Sequence, residues 1–192
     1  VRTSKVETAM RADAAANKAR IIEAARAEFV EGHKAISLEA VARKAGVGIA
    51  TLYRHFGSRD ALAAAVYHRE VDELVDLAAA LGDDLDPVQA LRTWLAATVD
   101  FVSTKKGMAE ALRWSARVPD DLTAYSSDHL TIAVGHLLER AVPGQAGRPR
   151  MEPQDLLRVL VALCYEFDQE DWQQRVLFLL DTMLDGLIGR GP

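Results

Sequence analysis

Residues 46–62 read GVGIATLYRHFGSRDAL, and within them Thr51, Tyr53, Arg54, His55 and Arg59 gather hydroxyl, phenol, guanidinium and imidazole groups. Groups of this kind hold phosphate oxygens and read base edges. A guanidinium such as that of Arg54 can take guanine O6 and N7 in a bidentate pair, and the Thr51 methyl can meet the methyl of thymine. A phenol and an imidazole can bond phosphates on either wall of a groove. The chain offers little for other chemistry. It has no Gly-rich phosphate loop, no nucleophile elbow and no set that unites nucleophile, base and oxyanion donors. His68 and Asp72 stand four apart on a helix, but two ligands do not make a metal site. Glu166, Asp168, Glu170 and Asp171 lack the spacing of a calcium loop and read as a solvated acidic turn. No catalysis, no metal and no cofactor is expected.

The elements that must position these groups follow from periodicity. At about 100° per residue, Leu52 and Phe56, with Ile49 nearby, form the inner side of a short helix over 49–56. Ala50, Thr51 and Arg54 then lie opposite, with Tyr53 and His55 on the flanks. A second short helix, 38–45, shows an apolar stripe of Leu38, Val41, Ala42 and Ala45, with Ser37 as its N-cap. Gly46-Val47-Gly48 is the turn between them, which gives the helix-turn-helix plan. Ser58 is the expected cap of a long helix over 59–81. Ser37 and Arg59 open helices whose free backbone N–H groups and dipole favour phosphate. Ahead of the pair, Ile21, Ile22, Ala25 and Phe29 mark a helix from Asn17, with Gly32 as its stop. Residues 1–16 show no apolar period and read as a flexible arm with Arg2, Lys5 and Arg11. Arg11 in a minor groove and plain disorder are its two readings.

The run LEAVARKAGVGIATLYRHFGSRDAL resembles the DNA-binding region of TetR-family repressors. Gly46, Val47, Thr51, Leu52, Tyr53, His55, Phe56 and Arg59 carry the likeness, which is close from Ala19 to Val66. Beyond that the chain matches in style, all-helical and acidic with a closing LLDTMLDGL. The resemblance implies that Tyr53 and His55 contact phosphates, and that Gly48, Ile49 and Ala50 carry operator identity. It also implies that the helix from Arg59 links the DNA-binding head to a regulatory body. The DNA-contact set is therefore Ser37, Gly48, Ile49, Ala50, Thr51, Tyr53, Arg54, His55 and Arg59, on a double-stranded operator.

Charge divides along the chain in the same sense. Residues 1–70 hold 12 Lys+Arg against 8 Asp+Glu, whereas residues 71–192 hold 11 against 20. A basic head on an acidic body fits a polyanion partner at the head alone. The rest of the chain also reads as helices: 87–104 after Asp86-Pro87, 108–118 after a break at Lys105-Lys106-Gly107, 119–142, 153–167 and 171–188. The expected fold is all-α with about nine helices. It divides into an arm (1–16), a three-helix head (17–64) and a regulatory and dimerisation body (65–192).

In the body, Leu91, Trp94, Thr98 and Phe101 share a helix face, and Met108, Trp114, Tyr125 and His129 follow. Trp94, Phe101, Met108, Trp114, Tyr125 and His129 are the candidate lining for a small apolar effector, with core packing as the competing reading. Around 152–167 and 171–188 apolar residues cover more of each helix than one core can use. A homodimer through this pair is therefore expected. A body that only dimerises, or that binds a protein, is the alternative to effector control. The lone Cys164 forms no internal disulfide and should be buried. No apolar run approaches the ~18–20 residues of a membrane span, and the first residues lack a signal-like apolar stretch. A reducing cytoplasm is the expected setting.

Overall fold

The structure is a computed structural model that describes residues 2–30, 37–82, 85–111, 120–142, 151–167 and 169–188. All regular structure among them is α-helical. The helices are α1 (Arg2–Val30), α2 (Leu38–Lys44), α3 (Ile49–Phe56), α4 (Arg59–Ala80), α5 (Pro87–Ala111), α6 (Asp120–Ala141), α7 (Pro153–Glu166) and α8 (Trp172–Ile188). The chain divides into two compact units. One comprises Val1–His68 with Thr104–Val118, and the other Arg69–Ser103 with Pro119–Pro192.

In the first unit, α1 packs on α2 and α3. Its core joins Ile21, Ala25 and Phe29 of α1 to Val41 and Ala42 of α2, and Leu52 and Phe56 of α3. Leu62, Ala63, Val66 and Tyr67 of α4 are buried in the same unit, as is Met108 of α5. The local signals act as expected at two helix starts. Ser37 Oγ accepts from Ala40 N at 3.2 Å, and Ser58 Oγ accepts from Ala61 N at 3.1 Å. Each bond satisfies one of the N–H groups that a first helical turn leaves without a partner.

Two expectations change here. The helix expected from Asn17 begins earlier, because α1 runs continuously from Arg2 through the stretch read as a flexible arm. Ala9, Ala12, Ala14, Ala15 and Ala16, with the straight-chain residues among them, favour helix even without an apolar period. Lys105-Lys106-Gly107 does not end a helix either, because α5 continues to Ala111. This merges two expected helices and leaves eight among the described residues. Gly107 is present for closeness, not as a stop. A Cβ built there would stand 2.1 Å from the Phe29 carbonyl oxygen. The Gly32 stop, the stretch 112–118 and the loop 143–149 lie outside the described residues.

The second unit is built from the rest of α4 and α5 with α6, α7 and α8. Asp86 caps α5, its Oδ1 accepting from Gln89 N at 3.0 Å, and Pro153 sits in the first turn of α7. Trp94 of α5 is fully buried and its indole N–H donates to the Leu74 carbonyl of α4 at 2.8 Å. Arg92 of α5 bonds both Asp181 and Asp185, one turn apart on α8. The last two helices bury matching lines four residues apart: Leu156, Leu160 and Cys164 on α7, and Val176, Leu180 and Leu184 on α8. Cys164 is buried, as its apolar surroundings predict.

Candidate nucleic-acid interface

The turn between α2 and α3 is set by hydrogen bonds at the end of α2. Gly46 has φ of 66°, a left-handed conformation that costs a β-carbon dearly. Gly46 N donates to Arg43 O at 3.1 Å and Val47 N to Ala42 O at 2.9 Å. This paired pattern is a Schellman close, which satisfies the last carbonyls of α2 and turns the chain sharply. Gly48 then caps α3 in extended conformation, its carbonyl accepting from Thr51 N at 2.9 Å.

On α3 the two sides separate cleanly. Leu52 and Phe56 are buried, at roughly 1.5–3 kcal/mol of apolar burial each, and so fix the rotation of the helix. Ile49, Ala50, Tyr53 and Arg54 are exposed, while Thr51 and His55 are half-buried. Tyr53 is 48% exposed, a large cost in uncovered ring for a residue with no partner to meet. Arg54 has no ion pair among the described residues. By contrast Lys44 is tied to Glu28 at 3.3 Å, which spends its charge on holding α2 to α1. Gly57, with φ of 71°, ends α3 and lets Ser58 start α4, so that Arg59 stands exposed at the first position of that helix.

Glu39 is a part of this surface that spacing alone does not flag. It is fully exposed in the first turn of α2, and Ser37 Oγ donates to its Oε2 at 3.1 Å. Its own backbone N–H, the Ser37 hydroxyl and the charge of Arg59 hold its carboxyl below the usual range. Glu39 thus sets a carboxylate within reach of the charge of Arg59, an acceptor suited to a cytosine amino group rather than to phosphate. The sequence signal for it was the S-L-E start of α2, which reads first as capping.

The candidate effector handles fall in both units. Met108 belongs to the first unit, whereas Trp94, Phe101, Tyr125 and His129 belong to the second. Trp114 lies outside the described residues. Trp94, Phe101 and Met108 are buried as core. Tyr125 O–H donates to Asp72 Oδ1 at 2.6 Å, a bond that raises the phenol's pKa, with burial and the charge of Asp72 adding to the rise. The exposed His129 ring stacks on Tyr125 at 4.1 Å between centroids, and its Nδ1 lies 2.8 Å from the Tyr125 carbonyl.

A helix-turn-helix in a three-helix head, followed by a helical body, defines a class of DNA-binding regulators. Residues 21–66 match the family model described as bacterial regulatory proteins, tetR family. Residues 86–188 match that of the SbtR-like transcriptional regulator C-terminal domain. A TetR transcriptional regulator from Streptomyces coelicolor is 35% identical with a TM-score of 0.70, the match covering 89% of this chain and 98% of that one. A TetR transcription regulatory protein from Mycobacterium vanbaalenii is 28% identical with a TM-score of 0.70, covering 93% and 99%. An HTH-type transcriptional regulator of Mycobacterium tuberculosis is 34% identical over 92 residues, which are 47% of this chain and 46% of the relative. The chain spans about half the length of the curated relatives it matches. The chain belongs to the TetR family of transcriptional regulators. No helix among the described residues is long and apolar enough to cross a membrane.

Proposed function

We propose that this regulator is a cytoplasmic repressor that grips a palindromic operator as a homodimer, with Ile49–His55 in the major groove. The observation that carries the reading is the division of α3, with Leu52 and Phe56 locked inward and Tyr53 and Arg54 left open to solvent. In this arrangement Ala50, Thr51 and Arg54 read bases beside Gly48 and Ile49. Tyr53 and His55 hold phosphates, as do the helix starts at Ser37 and Arg59. A small, mostly apolar effector in the body would release the operator by binding the released state more tightly. The test is binding to duplex DNA flanking the protein's own gene, titrated across salt with excess competitor DNA. Saturable binding that resists competitor, with log affinity falling steeply against log salt, is the expected result. Binding that competitor strips away there, and the absence of any enriched palindrome after selection from random duplexes, would overturn it.

One observation favours a second reading of the body, as a module that dimerises or binds protein without an effector. The polar tips expected to greet a ligand are engaged elsewhere, the Trp94 indole with Leu74 and the Tyr125 hydroxyl with Asp72. Thermal unfolding with a panel of hydrophobic ligands separates the two, since only an effector-controlled body gains stability from one of them.

A further inference from the structure

Glu39 is an acid among groups that the operator-binding reading assigns to phosphate. It stands in the first turn of α2, two residues after Ser37, and it feels the charge of Arg59 at the start of α4. At about 100° per residue, Leu38, Val41 and Ala42 make the buried side of α2, Lys44 lies on one flank, and Glu39 and Arg43 share the other. Lys44 is tied to Glu28 of α1, so the flank of Glu39 is the one turned away from α1. Helical spacing offers Glu39 a partner in the exposed Arg43, one turn on. The two make no ion pair among the described residues. The carboxylate accepts instead from the Ser37 hydroxyl at 3.1 Å, while Ser37 Oγ accepts from Ala40 N at 3.2 Å. One carboxylate oxygen is thus oriented by the cap of α2, on a side chain that is fully exposed.

An ionised carboxylate only accepts hydrogen bonds. The Glu39 backbone N–H, the Ser37 hydroxyl and the charge of Arg59 all favour the ionised form, so the side chain meets a duplex as an anion. Against phosphate such a group repels, and on an arbitrary duplex it costs affinity. It gains only from a donor. In the major groove the donors are the amino groups of cytosine and adenine, and the pairing that suits a carboxylate is cytosine N4. We infer that Glu39 is a specificity-determining residue of the operator contact, its carboxylate accepting from the N4 amino group of a cytosine. The first helix of such a pair crosses the backbone while the second lies in the groove. This cytosine therefore stands at the edge of the stretch read by α3. Ser37 is the positioning residue, its hydroxyl holding one carboxylate oxygen so that the other is left for the base. The device works by contrast. Cytosine at that position offsets the repulsion, and any base without a well-placed amino group leaves the anion facing the groove unmet.

The proposal rests on the operator-binding reading above. The test is selection from random-sequence duplexes with the full chain and with its E39Q and E39A variants, followed by titration of the selected duplexes across salt. The unsubstituted chain should enrich cytosine at one outer position of each half-site, and replacing that cytosine should cost about tenfold in affinity per half-site. E39Q should enrich adenine there instead, because a glutamine amide pairs with adenine N6 and N7. E39A should lose preference at that position alone. Both variants should bind random duplex more tightly than the unsubstituted chain, with a salt slope steeper by up to about 0.9 per subunit for the one anion removed. A merely structural role would move both variants alike, so base profiles that change identically in glutamine and alanine count against the inference. Profiles that do not change at all would sink it. So would tighter binding to every duplex with base preference intact, which would make Glu39 a brake on affinity and not a reader. If circular dichroism shows lost helix in E39A, the exchange of cytosine for adenine in E39Q decides alone. Failure of the unsubstituted chain to enrich any palindrome would remove the regulator reading itself, which is a different outcome.

Discussion

Tyr53 and Thr51 are two positions apart on α3 but stand differently, the phenol exposed on the flank and the hydroxyl half-buried against the head. Their losses should therefore differ in kind. Tyr53→Phe removes a hydrogen bond from a neutral donor to a charged phosphate, worth about 1.5–3 kcal/mol, so affinity should fall roughly 10- to 100-fold per subunit on operator and random DNA alike. No charge leaves, so the salt slope should stay fixed. Thr51→Ala should instead reorder the preferred bases at one position of each half-site. A Tyr53→Phe variant that changed base preference would show that the rotation of α3 in the groove is misassigned. Lys105 makes a separate point about single residues. Burial lowers the pKa of its ammonium, which lies 5.9 Å from the centre of the Tyr67 ring. Between the folded and the ordinary lysine value the unfolded chain binds more protons, so stability should rise with pH across that window. Lys105→Met should raise the urea midpoint at neutral pH and flatten that rise. A lower midpoint would mean that the cation is needed where it lies.

At the scale of elements, glycine shows what a sequence can and cannot convey. Gly46 and Gly107 both read as breaks. Gly46 is one, because φ of 66° and the bonds to Arg43 and Ala42 end α2 there. Gly107 lies inside α5, its missing side chain making room for the Phe29 carbonyl. Gly107→Ala sets two effects against each other. Alanine gains about 1 kcal/mol of helix propensity, while a carbon 2.1 Å from a carbonyl oxygen forces backbone apart, at a typical cost of 1–3 kcal/mol or more for overpacking. Because the obstacle is backbone and cannot swing aside, the clash should win and the urea midpoint should fall. A rise would show that α1 and α5 separate cheaply. The same distinction governs legibility in general. The caps at Ser37, Ser58 and Asp86 were readable because each is a contact within three residues. The sides of α3 were readable because 3.6-residue periodicity is local as well. The start of α1 was not, since an alanine-rich run gives no stripe for periodicity to find. The continuation of α5 depends on Phe29, distant in sequence. Glu39 was hidden behind the capping role that its neighbour Ser37 plays.

For the whole molecule the open question is what covers the outer faces of α7 and α8. Val159 and Tyr165 on the first, and Phe178, Leu179 and Ile188 on the second, are exposed, with Phe178 at 69%. Phe178 and Leu179 stand away from the buried line of Val176, Leu180 and Leu184, so no rotation of α8 could bury both sets within one chain. A two-fold axis beside this pair would bring each face against its own copy and join two helix pairs in one interface. The operator binding proposed above would use the same arrangement, because a single recognition helix reaches only a few base edges and a palindrome would double the reading. Phe178→Glu would place two like charges near such an axis in a desolvated contact. It should leave the helical signal near that of the original chain, since the side chain is mostly in solvent within one protomer. It should shift sedimentation from dimer to monomer and reduce operator affinity by orders of magnitude while weak binding to random DNA persists. A variant that stays dimeric and binds the operator as before would place the interface on another face. In that case the exposed apolar residues of α7 and α8 would have to be met by a different protein.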